Sequence, residues 1–79
     1  MFLEIVTPEK TLYSKEIKYV KVPGSDGQFG VLKDHAPIIS TLEKGQIKVV
    51  EIDDTEELFD VKGGVIEILK NNIIILLKL

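Results

Sequence analysis

Asp34, His35 and Ser40 are the residues of this chain whose types could together do nucleophilic chemistry. His35 is the sole histidine, and so the sole side chain with an unperturbed pKa near neutrality. A catalytic triad also needs a positioned nucleophile and an acid that orients the base. No strained G-x-S-x-G turn surrounds Ser40, so no catalytic residue is expected and His35 reads as a turn-stabilising side chain. Gly24, Gly27 and Gly30 form a spaced-glycine loop. A phosphate loop requires a helix directly after it, whose amides and dipole face the anion. Here Val31-Leu32 continues as strand and no Walker lysine follows, so no nucleotide or other cofactor is expected. The acids Glu51, Asp53, Asp54, Glu56, Glu57 and Asp60 lack the fixed spacing and central glycine of a calcium loop and read as a solvated hairpin tip. One histidine and no cysteine cannot close a structural zinc shell, so no metal is expected either.

The elements that position these residues are read from pattern. At 79 residues the chain is expected to be one domain, 1–79. A domain of this size buries only ~60% of its unfolded surface, and no disulfide is available to help. Dependence on a larger assembly follows as an expectation. Ten basic against thirteen acidic residues, with the lysines scattered singly, give no basic stripe for nucleic acid. Met1-Phe2-Leu3-Glu4 has no basic region followed by a long apolar run, so no signal peptide is expected. The run Ile73 to Leu77 is far short of the ~20 residues that span a bilayer, so no direct membrane insertion is expected.

Periodicity is two rather than 3.6. Leu3 and Ile5 alternate with Glu4 and Val6; Ile17, Tyr19 and Lys21 alternate with Lys18, Val20 and Val22; Ile47 and Val49, Phe59 and Val61, Ile66 and Ile68 repeat the pattern. β-branched residues dominate, as strand surfaces favour. Turns are expected at Thr7–Lys10, Pro23–Gly27, Glu43–Gly45, Asp53–Glu56 and Lys70–Asn72, with asparagine supplying the left-handed conformation in the last. Gly63-Gly64 predicts a bulge or a close approach by another backbone. Ile73 to Leu77 reads either as a strand covered on both faces or as one whose second face meets something outside this chain. Tyr13 and Tyr19 read equally as interface anchors or as packing at the core edge. Together these features predict an all-β fold of about seven to ten short, mostly antiparallel strands.

The densest information lies between Val22 and Gly45, which holds four of the six glycines, two of the three prolines and the histidine. Four blocks, in order, carry a resemblance: Leu3-Glu4-Ile5-Val6-Thr7-Pro8-Glu9; Val22-Pro23-Gly24-Ser25-Asp26-Gly27-Gln28-Phe29-Gly30-Val31-Leu32; His35-Ala36-Pro37-Ile38-Ile39-Ser40-Thr41-Leu42; and Gly63-Gly64-Val65-Ile66-Glu67-Ile68. The chain resembles the N-terminal β-sandwich domain of the F-type ATP synthase epsilon subunit. The resemblance implies a flattened β-sandwich and a rotor role in the central stalk of a proton-translocating F-type ATP synthase. It implies a subunit that is non-catalytic and couples the gamma shaft to the c-ring. The C-terminal helices of that family are expected to be absent here, along with the regulation and ATP binding they carry. The implied partners are the gamma subunit, through an apolar contact on an unassigned face, and the c-ring loops. The ring contact implied by the resemblance is Ser25, Asp26, Gly27, Gln28, Phe29, Gly30 and His35. Relatives often carry a carboxylate at the position of Gln28, where an amide offers a weaker hydrogen bond. They usually carry glycine at Asp34, and aspartate tolerates the left-handed φ better than most residues. The implied location is peripheral, on the cytoplasmic face of a bacterial inner membrane. Rival readings are a free-standing β-sandwich binding module that captures a partner at a sheet edge, and a small hydrolase built on His35.

Overall fold

Alternating β-branched residues produce strands wherever the pattern predicts them. The computed structural model describes residues 1–78 and is all-β there, so Leu79, the last residue of the expected domain, lies outside the described residues. The strands are β1 (Phe2–Val6), β2 (Thr11–Gly24), β3 (Gly27–Val31), β4 (Ile38–Leu42), β5 (Gly45–Glu51), β6 (Glu56–Val61), β7 (Gly64–Leu69) and β8 (Asn72–Leu77). All pairings are antiparallel except β1 with β8. The mostly antiparallel sandwich expected from the sequence is therefore what forms.

One hydrogen-bonded sheet folds over itself, and β2 is the hinge. Its first half pairs with β1 from Thr11 to Glu16, while its second half pairs with β5 from Ile17 to Lys21 and with β3 from Val20 to Gly24. The first layer runs β2–β1–β8–β7–β4 and the second β3–β2–β5–β6. Gly24 pairs with Leu42 and joins the layers a second time. Between them lie Leu3, Ile5, Ile17, Val20, Val22, Val31, Leu42, Ile47, Val49, Val61, Ile66, Ile68, Ile73, Ile75 and Leu77, with no buried polar or charged residue among the described residues. The 29 × 23 × 19 Å envelope is that of two flattened layers.

The crossover from layer to layer costs one residue of phase. Ile17 pairs with Glu51 and Tyr19 with Val50, leaving Lys18 as an extra residue. This bulge shifts the inward set from odd to even numbers, so Ile17, Val20 and Val22 are buried while Tyr19 is only half-buried. A strict alternation would have grouped Ile17 with Tyr19 and Lys21.

Two turns depart from expectation. β2 continues through Pro23 and Gly24, so the turn shrinks to Ser25-Asp26. Proline survives there because its carbonyl is what the fold uses, accepting from the Glu43 N–H. In the β7–β8 hairpin the positive φ falls on Lys70, at 57°, rather than on asparagine. Leu69 pairs with Asn72, which makes Lys70 the first central residue of a two-residue loop, and a positive φ there alone is the type II′ pattern. Gly64 fulfils the predicted close approach, since a Cβ on it would overlap the Leu76 carbonyl.

Candidate functional site

The outward residues of the first layer form an apolar face. β8 is buried at Ile73, Ile75 and Leu77 and exposed at Ile74 and Leu76. The first sequence reading of this strand, covered on both faces, fails: its outer face is open within this chain. Register aligns the exposed residues into rows. Ile39 of β4 pairs with Glu67 of β7, which pairs with Ile74 of β8, which pairs with Glu4 of β1. The next row is Thr41, Val65, Leu76 and Val6. Ile39, the most exposed of the large apolar side chains among the described residues, is 72% exposed. Two of the shallow hollows on this face share Ile39 and Glu67. One, of about 340 Å³, is lined by Ile39, Val65, Glu67, Ile74 and Leu76. The other, of about 370 Å³, is lined by Pro37, Ile38, Ile39, Glu67, Ile68 and Leu69.

The second layer turns a different face outward. Lys18 meets Asp54 at 2.6 Å and Lys48 meets Glu56 at 3.6 Å. Gln46 donates to Asp60 across the β5–β6 pair. At the sandwich edge the Tyr13 hydroxyl donates to Glu51 Oε2 at 2.6 Å, Lys15 reaches the same oxygen at 3.3 Å, and the Tyr13 ring meets Phe59 edge-on. Burial, then the Glu51 carboxylate, push the Tyr13 phenol well above its ordinary range. Thr55 donates to Asp53 and holds that carboxyl below the usual aspartate range. Of the acidic run only Asp53 and Asp54 stand at the hairpin tip; Glu51 ends β5, Glu56, Glu57 and Asp60 lie on β6, and among the described residues each but Glu57 has its own side-chain partner. Tyr13 packs at the core edge. Tyr19 lies across Gly30, where a Cβ would overlap the phenol.

The turn residues singled out by sequence fall in two places. Ser25, Asp26, Gly27 and Gln28 are exposed at the β2–β3 turn. Gly27 has φ 125° and open space around it, so glycine is required there for backbone geometry alone. Thr41 fastens the turn: its carbonyl accepts from the Ser25 N–H at 3.0 Å, and its hydroxyl donates to Ser25 Oγ at 2.8 Å. Phe29 is half-buried against the core and packs over Gly24. Gly30 exposes backbone only. His35 is not with this group. It lies in the loop between β3 and β4, beyond Ile38, whereas Thr41 and Leu42 stand at the turn end of β4. The length of β4 separates them, ~13 Å of strand.

The His35 loop is tied down locally. Asp34 has φ 64°, the left-handed geometry that its place in the sequence demanded. Its N–H donates to Asn71 Oδ1 at 3.0 Å, which joins the loop to the β7–β8 turn. His35 Nδ1 lies 2.7 Å from the Ala36 carbonyl, and Ser40 Oγ donates to the Thr41 carbonyl. The side chains of Asp34, His35 and Ser40 therefore have three separate partners and no hydrogen bond to one another. Sequence reasoning missed the apolar face as a unit. The signal was present in the exposed members of β4, β7 and β8, but only register reveals that they align.

Residues 1–78 match the family described as the β-sandwich domain of the ATP synthase delta/epsilon chain. The chain is 40% identical over 77 residues to the ATP synthase epsilon chain of Campylobacter hominis, covering 96% of this chain and 59% of that one. It is 39% identical over 74 residues to the epsilon chain of Chlorobium limicola, covering 94% of this chain and 84% of that one. It thus spans about three fifths of the first relative and most of the second. In solved structures, a chain of the Euglena gracilis mitochondrial ATP synthase OSCP/F1/c-ring assembly superposes with a TM-score of 0.90 at 16% identity, over 95% of this chain and 48% of that one. A chain of the Tetrahymena thermophila mitochondrial ATP synthase central stalk and c-ring gives 0.79 at 16% identity, over 96% and 61%. At that identity the two structures establish a common fold.

Proposed function

Because the chain belongs to the ATP synthase delta/epsilon β-sandwich family, we propose that it is a rotor central-stalk subunit of a proton-translocating F-type ATP synthase. It is non-catalytic, and it couples the gamma shaft to the c-ring by surface fit. The observation that carries this reading is the family match along the whole described length. Two dissimilar surfaces support it. The open apolar face of β4, β7 and β8 suits an extensive contact with the shaft, because covering it removes Ile39, Ile74 and Leu76 from water. The β2–β3 turn suits a smaller polar contact with the ring loops, through exposed Ser25, Asp26 and Gln28 and the bare backbone of Gly27 and Gly30. In this reading Phe29 buttresses the turn from the core side. His35 steadies the opposite loop and takes no part in the ring contact. Attachment to the ring would make the subunit a peripheral protein on the cytoplasmic face of a bacterial inner membrane.

Co-purification tests the reading. The chain should travel with gamma at near-equal stoichiometry, and in a reconstituted enzyme Gln28→Lys should lower the coupling of proton flow to ATP synthesis with the circular dichroism unchanged. Elution of the wild-type chain free of both gamma and the c subunit would end the proposal. A free-standing binding module would behave in that way.

A further inference from the structure

The apolar face has a carboxylate set into it. Glu67 sits on β7 between Ile39 and Ile74, and it walls both hollows. Among the described residues it has neither an ion-pair nor a side-chain hydrogen-bond partner, which is equally true of Glu4, Glu9, Asp26, Glu43 and Glu57; what sets Glu67 apart is its place among Ile39, Val65, Leu69 and Ile74 on the open apolar face. In the free chain water solvates it. Any partner that seats on Ile39, Val65, Ile74 and Leu76 also covers Glu67 and strips that water away. A carboxylate covered without a cation is strongly disfavoured, whereas one met by Lys or Arg is tolerated and becomes selective.

We propose that Glu67 is the specificity-determining residue of this face. It receives a single Lys or Arg of the gamma shaft, flanked on that shaft by apolar side chains that fill the two hollows. The inference rests on the rotor reading above and adds the chemistry of the contact. The spacing is set by β7, where Val65 and Leu69 bracket Glu67 across ~13 Å. Glu4 adds a second carboxylate on the far side of Ile74, two strands from Glu67 and ~9.6 Å away. This charge pattern also selects against a second copy of the chain. A twofold contact centred on Ile74 would press like charges together.

The test measures binding of the intact chain to the gamma subunit from the same genome. Variants are Glu67→Gln, Glu67→Lys and, on the opposite layer, the control Glu57→Gln. Thermal unfolding of each should match wild type, because position 67 is exposed. Glu67→Gln is expected to weaken binding about 30-fold or more, since it leaves the shaft cation buried and unpaired, with the loss in the off-rate. Glu67→Lys should weaken it further, and a basic-to-acidic change on gamma should restore it. Glu57→Gln should change affinity by less than about fivefold. If wild type binds gamma and both Glu67 variants bind equally well, the inference is overturned while the rotor reading stands. If wild type fails to bind gamma, the rotor reading itself falls. If sedimentation shows a wild-type dimer that Glu67→Gln tightens, the occupant is a second copy and the proposal is wrong.

Discussion

The two layers of this sandwich share one core and present opposite outer faces. Outside β5 and β6, lysines and carboxylates meet in pairs around one exposed apolar side chain, Leu58, and the β5–β6 loop is rich in aspartate. Outside β4, β7 and β8, isoleucine, leucine and valine stand open with Glu67 among them. The inner faces of both layers contribute apolar side chains to the one core. The difference teaches that inward residues make the fold and outward residues decide what the fold meets. A strand such as β8, apolar at five consecutive positions, carries both instructions at once.

The sharpest way to break this comparison is to change neighbours in one strand. Ile75 is fully buried and Ile74 is 43% exposed. Ile75→Ala should cost about 2–5 kcal/mol in urea unfolding, through lost transfer energy and a cavity. Ile74→Ala should cost under ~1 kcal/mol and should weaken gamma binding instead. Equal losses of stability would show that the outer face is not free.

A smaller effect tests the seam between the layers. Tyr13→Phe removes the hydroxyl that Glu51 accepts and should cost ~1–2 kcal/mol near neutral pH. The phenol is held in its neutral form in the fold, its pKa raised by burial and then by Glu51. Its contribution is therefore complete below the unfolded phenol pKa of ~10 and is lost as pH rises above it. Stability of wild type should fall more steeply than that of Tyr13→Phe from about pH 10 upward, in thermal melts at stepped pH. Parallel curves would show that this phenol is not coupled to folding.

The smallest effect belongs to the charged face. Lys18→Ala removes the partner of Asp54 at a site where both side chains are largely exposed, and it should change stability by less than ~0.5 kcal/mol, vanishing in high salt. A loss well above that would mean the charged face contributes to the fold as the core does.

Much of this was legible in the sequence. Alternation located the strands, and glycine and aspartate marked Gly27, Asp34 and Gly64 as places of special backbone geometry or close approach, each of which the structure bears out. Elsewhere local pattern misled. Tyr19 shares the parity of Ile17 in the sequence, yet the bulge at Lys18 turns it outward, because the strand changes layers there and no local signal records the change. Asparagine looked like the left-handed residue of the last hairpin, but register placed Lys70 at that position and left Asn71 to hold Asp34. His35 lies close to the glycine loop in sequence and is separated from it by the length of β4 in space.

By itself, then, the order of residues determined the fold class, the family, and the buried half of most strands, because side chains alternate with a period set by backbone geometry. Only the tertiary structure decided which outward halves align. Rows such as Ile39, Glu67, Ile74 and Glu4 draw one residue from each of four strands, and register is settled by the packing of the opposite face. A carboxylate ringed by apolar neighbours is therefore a property of the assembled sheet, invisible along any single strand.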